Sequence, residues 1–170
     1  MPKYIENLHQ KLLDEARSQT RELGYSGVSI RSIAKGCGVG VGTVYNYFPS
    51  KDALIAGFML EDWQCRIQAL EEKSRSAQDP NEVARYVYDC LVDFAREHRA
   101  VIGDKTALTA FAGAFGQYHS MLRGQLAKPL ERFCEDPFSA AFIAESILTW
   151  TMAGVSYEQI QPQIRKLFKE

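Results

Sequence analysis

Between Val28 and Pro49 the chain repeats one short pattern twice, and no other stretch limits the fold so tightly. Ser29 is a good helix N-cap, and Val28 before it pairs with Ile33 as a hydrophobic staple. Within a dozen residues Gly40 takes the cap position, and Val39 and Val44 form the same pair. Ile30, Ile33, Ala34 and Cys37 make a short apolar face that Gly38 closes. A third helix reads from Val41 to Phe48, with Val44 and Phe48 stacked four apart and Pro49-Ser50 breaking it. An irregular loop through the glycines would not produce these spacings. Two short helices joined through Gly38 and crossing steeply make a helix-turn-helix.

Helical periodicity continues on both sides, and strand alternation is nearly absent. Ile5, Leu8, Leu12, Ala16 and Leu23 lie along one stripe of a first helix, which Gly24 stops before Tyr25-Ser26-Gly27 turns the chain. Ser50 caps a long fourth helix through Leu54, Phe58, Trp63, Ile67 and Leu70. Asp79-Pro80 and Asp136-Pro137 each read as a cap followed by proline at the first helical position. His98 to Gly103 reads as a turn, and Ala107 to Leu122 as a helix with apolar spacings of three and four. The helix after Pro137 runs through Met152, Gly154 and Ser156 break it, and Pro162 begins a last amphipathic turn or two ending at Phe168. The expectation is an all-α chain of about eight or nine helices.

Charge is unevenly placed. Lys and Arg number 20 against 21 Asp and Glu over the 170 residues, so any nucleic-acid surface must be local. Up to Lys51 there are seven basic residues against four acidic ones, and beyond it thirteen against seventeen. No run is long and apolar enough to cross a bilayer core of about 30 Å. Met1 to Asn7 lacks the apolar segment of a secretory signal. Cys37, Cys65, Cys90 and Cys134 are far apart with no Cys-x-x-Cys pair, which fits buried reduced thiols. Together these point to a cytoplasmic protein without a membrane partner.

Catalytic chemistry finds no footing. His9, His98 and His119 are scattered, with no Cys or acid at ligand spacing, so no metal, cofactor or nucleophile is expected, and no enzyme. Gly36, Gly38, Gly40 and Gly42 alternate, but a Gly-x-Gly-x-x-Gly phosphate loop would need glycine where Val41, Thr43 or Tyr45 stands.

The third helix carries a different chemistry. With Val44 and Phe48 facing Ile33 and Ala34, the opposite side holds Gly42, Thr43, Asn46 and Tyr47. Gly42 permits close backbone approach, the Thr43 and Tyr47 hydroxyls suit phosphates, and the Asn46 amide suits a base edge. Arg31 is the second residue of its helix and Lys51 the first of the next, where cations oppose the positive end of the macrodipole. A phosphate near each helix start turns both penalties into attractions. Alternatively, both long side chains simply lean into solvent.

The stretch Ser29-Ile-Arg-Ser-Ile-Ala-Lys-Gly-Cys-Gly-Val-Gly-Val-Gly-Thr-Val-Tyr-Asn-Tyr-Phe-Pro-Ser-Lys-Asp-Ala-Leu54 resembles the N-terminal DNA-binding domain of TetR-family transcriptional regulators. The likeness is ungapped across the helix-turn-helix and covers about the first third of the chain. It implies a three-helix DNA-binding domain at residues 1–50 and a helical effector-binding and dimerisation domain at 51–170. It also implies that Val41, Gly42 and Asn46 lie nearest the bases, and that Thr43, Tyr47 and Lys51 hold phosphates. Arg31 would anchor the second helix, and Tyr45 would be partly core and partly backbone contact. Gly40 stands where the family usually has Ser, Gly36 where Ala or a polar residue is common, and Val41 where a polar or basic residue is frequent.

What the resemblance implies overall is a ligand-responsive repressor that binds a palindromic operator in double-stranded DNA as a homodimer. Its small-molecule effector is not specified by the sequence. Trp63, Phe94, Phe111, Phe115 and Tyr118 are candidates to line an effector cavity, with plain core the favoured role for any one of them. Specific reading of DNA by so small a module calls for two copies on two half-sites. Ala140, Ala141, Ala144 and Ile147 are small enough for close packing at a two-fold face, and a core role suits them nearly as well. Two other classes remain open: a DNA-bound structural protein acting through a protein partner, and a helical ligand-binding protein without DNA binding.

Overall fold

Ser29 does at the second helix what its position predicts. Its hydroxyl accepts from the Ser32 amide at 3.1 Å, and the Ser32 hydroxyl accepts from the Ser29 amide at 3.1 Å, a reciprocal capping box. In a computed structural model describing residues 7–169, the side chains of 114–117 excepted, the elements run as follows. They are α1 Leu8–Gly27, α2 Ile30–Cys37, α3 Val41–Tyr45, α4 Lys51–Arg75, α5 Pro80–Glu97, α6 Arg99–Ile102, α7 Lys105–Phe111, α8 Phe115–Ala127, α9 Pro137–Met152 and α10 Tyr157–Ile164. Three short 3-10 turns complete the list, at Ala112–Ala114, Lys128–Phe133 and Arg165–Leu167. Among the described residues there is no strand, and the fold is all-α as expected.

Several boundaries follow from single residues. Gly24 breaks α1 internally with φ +72°, a left-handed conformation that glycine adopts without steric cost. The buried stripe of Leu8, Leu12 and Ala16 passes beyond that break to Tyr25, so Leu23 is exposed where the periodicity put it inside. Ile5, assigned to the same stripe, lies outside the described residues. Gly38 ends α2 with φ +68°. The third helix closes at Tyr45, three residues short of the expected Phe48, because Pro49 disfavours helical backbone at the residue before it. Tyr47 and Phe48 still donate to the Val44 carbonyl, at 3.0 Å each, so Val44 and Phe48 stay packed inward.

Further along, Asp136 caps α9 through the Ser139 amide at 3.0 Å, with Pro137 following as predicted. Three readings need correction, the first being the single helix over Ala107 to Leu122, which is α7 and α8 separated by the 3-10 turn Ala112–Ala114. His98 to Gly103 is not a plain turn: Arg99–Ile102 forms the single-turn helix α6, and Val101 on it is buried. The last helix begins not at Pro162 but at Tyr157, after a capping box between Ser156 and Gln159, and Pro162 sits inside it.

The chain divides into two compact units, residues 1–62 with 98–112, and residues 63–97 with 113–170. The first packs Leu12, Ile33, Val44, Leu54 and Phe58 together with Val101 and Ala107. Arg17 of α1 ties to α4 there, 2.8 Å from Glu61 and 2.9 Å from Asp62. Burial works against its charge, but hydrogen bonds to Asp62, Glu61 and Asp14 hold that guanidinium above its usual range. The second unit packs α9 against α5, α8 and α10 around Val87, Leu130, Ile143 and Ile147. Arg132 closes its end of α4 by donating to the Ser74, Arg75 and Ala77 carbonyls at 2.5–3.2 Å. The four cysteines are unpaired, with Cys134 buried, Cys37 and Cys90 half-buried, and Cys65 exposed against expectation. No described helix is long and apolar enough to cross a membrane.

Candidate nucleic-acid interface

In the first unit, α3 divides cleanly into an inner and an outer side. Val44 and Phe48 are buried against Ile33 and Ala34. Opposite them Val41, Gly42, Tyr45, Asn46 and Tyr47 are exposed, and Thr43 is half-buried. Tyr45, expected to be partly core, is 52% exposed, which leaves about half of its surface to a partner. An ideal Cβ built on Gly42 meets no heavy atom within 4 Å, so only something outside this chain would require glycine there. Exposed aromatics of this kind cost apolar hydration unless a partner covers them.

The two cations differ. Arg31 is exposed at the second position of α2 and makes no ion pair among the described residues. Lys51 is half-buried. Its ammonium donates to the Tyr25 carbonyl at 3.0 Å and lies 3.9 Å from the centre of the Tyr25 ring. One of its three N–H groups is thus engaged by the carbonyl, the ring face meets the same ammonium, and the half-buried side chain keeps part of its surface open to a phosphate. Tyr25 in turn donates its hydroxyl to Asp52 at 2.5 Å. Burial first, and then the hydrogen bond to Asp52, push the Tyr25 phenol up to about 12.

His9 borders this face, which the sequence did not reveal. It is exposed on α1, with its ring 6.3 Å from Tyr47 and 5.0 Å from Phe48. Only tertiary packing brings α1 beside the end of α3, and no local pattern could have signalled it.

The other candidate groups do not assemble as expected. Trp63 and Phe94 meet edge to face at 5.2 Å, and the Trp63 indole donates to Gln125 at 2.7 Å. Phe111 belongs instead to the first unit, against Tyr25. Tyr118 is exposed, and the Phe115 side chain lies outside the described residues. Ala140, Ala144 and Ile147 are fully buried in the second unit's own core, with Ala141 packed against it. Ala140, Ala144 and Ile147 thus take the core role that was the alternative to a two-fold face, whereas Ala141 keeps part of its surface. The exposed apolar residues of α9 are Phe138, Phe142, Trp150 and Met152. Phe142 and Trp150 border a groove of about 490 Å³ shared with Ile160, Gln163, Ile164 and Leu167. No group of three or more His, Cys, Asp or Glu among the described residues is placed to hold a metal ion.

Residues 12–57 match the family model described as bacterial regulatory proteins, tetR family. The HTH-type transcriptional regulator UidR of Escherichia coli K12 is 34% identical over 62 residues, covering 36% of this chain and 32% of UidR. This chain therefore matches about a third of that relative's length. Among solved structures, a TetR-family transcriptional regulator from Pectobacterium atrosepticum superposes with a TM-score of 0.71 at 18% identity, covering 98% of this chain and 91% of that one. RolR in complex with resorcinol gives a TM-score of 0.64 at 24% identity, over 97% and 89% of the two chains. At these identities the superpositions establish a shared all-α fold.

Proposed function

We propose that the protein is a cytoplasmic DNA-binding transcriptional regulator of the tetR family, whose model residues 12–57 match, and a repressor acting as a homodimer on a palindromic operator. One observation carries the reading. An exposed face of Gly42, Tyr45, Asn46 and Tyr47, with the half-buried Thr43, stands over a fully buried Val44, with Arg31 and Lys51 at the starts of the flanking helices. Asn46 and the backbone at Gly42, with Val41 beside a thymine methyl, read base edges in the major groove. Thr43, Tyr47, Arg31 and Lys51 hold the phosphate backbone and fix the register. Residues 1–50 form the reading domain, and residues 51–170 dimerise and receive an effector.

Two-fold association uses the aromatic side of α9, where Phe138, Phe142 and Trp150 are exposed beside the α9–α10 groove. A self-complementary patch of this kind suits a two-fold dimer, because each copy supplies both the aromatic side chains and the groove. RolR is a relative in fold solved with resorcinol, and FadR of Bacillus subtilis one solved with stearoyl-CoA. By analogy this protein answers to a small organic effector bound in residues 51–170, with Trp63 and Phe94 as its first candidate contacts. Effector binding favours a dimer geometry in which the two recognition helices no longer match the operator spacing.

Selection of fragmented genomic DNA by the purified protein tests the whole reading. Enriched fragments centred on promoters and sharing an inverted repeat are expected. No retention at low salt overturns it, and retained fragments dispersed without a common repeat replace promoter control by a structural role on DNA.

A further inference from the structure

Beyond the α1 break at Gly24, Tyr25 is 2% exposed and engaged on every side. Its hydroxyl donates to Asp52, its carbonyl accepts from Lys51, and its ring lies beneath the same Lys51 ammonium. Lys51 and Asp52 are the first two residues of α4. On the other side stands α7. Asp104, its N-cap, accepts from the Ser26 hydroxyl at 3.0 Å, and Phe111, its last residue, meets the Tyr25 ring edge to face at 6.3 Å. The segment 24–26 is thus held between the start of α4 and the two ends of α7.

Electrostatics alone would not keep Lys51 there. A cation at the first position of a helix faces the positive end of the dipole, and a four-carbon side chain left free would swing toward solvent. The Tyr25 carbonyl and ring face supply the attraction that holds it. A cation already fixed in space loses less freedom on meeting a phosphate than a mobile one, which raises affinity without a new contact.

We propose that Tyr25 is a positioning residue for DNA binding: it holds the Lys51 ammonium ready for a phosphate, and α7 sets that position by holding Tyr25. The proposal rests on the assignment of Lys51 to the DNA backbone. It makes the docking of α7, through Phe111 and Asp104, a control on DNA affinity that touches no nucleotide.

The test is a coupling cycle on the full-length protein, read by fluorescence anisotropy with a selected duplex between 50 and 200 mM salt, about the range over which phosphate contacts show. Tyr25→Phe keeps ring and carbonyl and should bind like the wild type. Tyr25→Leu should weaken binding by about two- to fivefold, the size of a cation–π contact, and lower the salt slope. In a Lys51→Ala background it should cost nothing further. Phe111→Ala should show the same dependence on Lys51, and it serves as the reporter if Tyr25→Leu does not fold. Equal losses with and without Lys51 overturn the proposal, as does a Lys51→Ala variant with an unchanged salt slope. Failure of the wild-type protein to retain any duplex removes the DNA reading itself and is distinct from both.

Discussion

A methyl group added at Gly42 should move stability and DNA affinity in opposite directions. Gly42 is the second residue of α3, its backbone is helical, and an ideal Cβ there has open space out to 4 Å. In the free protein Gly42→Ala therefore meets no clash. It removes the entropic cost of glycine in a helix, about 0.5–1 kcal/mol. For a chain of this size 1 kcal/mol corresponds to a rise in Tm of roughly 2–4 °C. On DNA the same methyl must enter the space through which the α3 backbone approaches the base edges. A loss of tenfold or more, about 1.4 kcal/mol, is expected, and more for Gly42→Leu. Thermal unfolding by circular dichroism and anisotropy titrations on one duplex measure the two effects. Raised Tm with unchanged affinity would refute the placement of Gly42 in the groove, and lowered Tm would refute the open helical environment.

Other expectations follow from the same geometry. Lys51→Ala should weaken binding to every sequence and reduce the salt slope by about one for each protomer bound, whereas Asn46→Ala should change preference at particular bases, as read by repeating the selection. Trp150→Glu or Phe142→Glu should convert a dimer to monomer in sedimentation with helix content intact, because each buried aromatic contributes about 1.5–3 kcal/mol and a two-fold interface uses it twice; persistence of the dimer places the interface elsewhere. The Tyr25 phenol, raised from 10 to about 12, gives stability that is full below pH 10 and is lost as pH climbs through 12. Denaturant titrations at pH 9 and 12 should show a loss of about 1–3 kcal/mol in the wild type beyond that in Tyr25→Phe, and parallel losses would dismiss the Tyr25–Asp52 bond as the cause.

Local physics was legible in the sequence and tertiary placement was not. Ser29, Gly38, Ser50 and Asp136 act within one helical turn, so their caps could be read directly. The Ser156 and Gln159 capping box was equally local, and reading Pro162 as a helix start hid it. On α9 periodicity could not decide inside from outside, because both sides are apolar: Ala140, Ala144 and Ile147 on one, Phe138, Phe142 and Trp150 on the other. The aliphatic side, with Ile143 and Leu148 beside those residues, went inside, where α5 and α8 pack against the helix, and the aromatic side was left out. Within the reading face, Val44 and Phe48 were separable from Gly42, Asn46 and Tyr47 by helical spacing alone. The grip of Tyr25 on Lys51 joins residues 26 apart in sequence, and Phe111 reaches Tyr25 from farther still, so neither had a local signature.

Whether the face of α3 meets a duplex is decided by amide chemical shifts of the labelled protein during titration with a selected DNA fragment. The largest changes should fall at Ile30–Arg31, at Val41–Tyr47 and at Lys51, with the buried core of the second unit little affected. Changes concentrated on α9 and α10, with the Gly40–Lys51 amides unmoved, would contradict it.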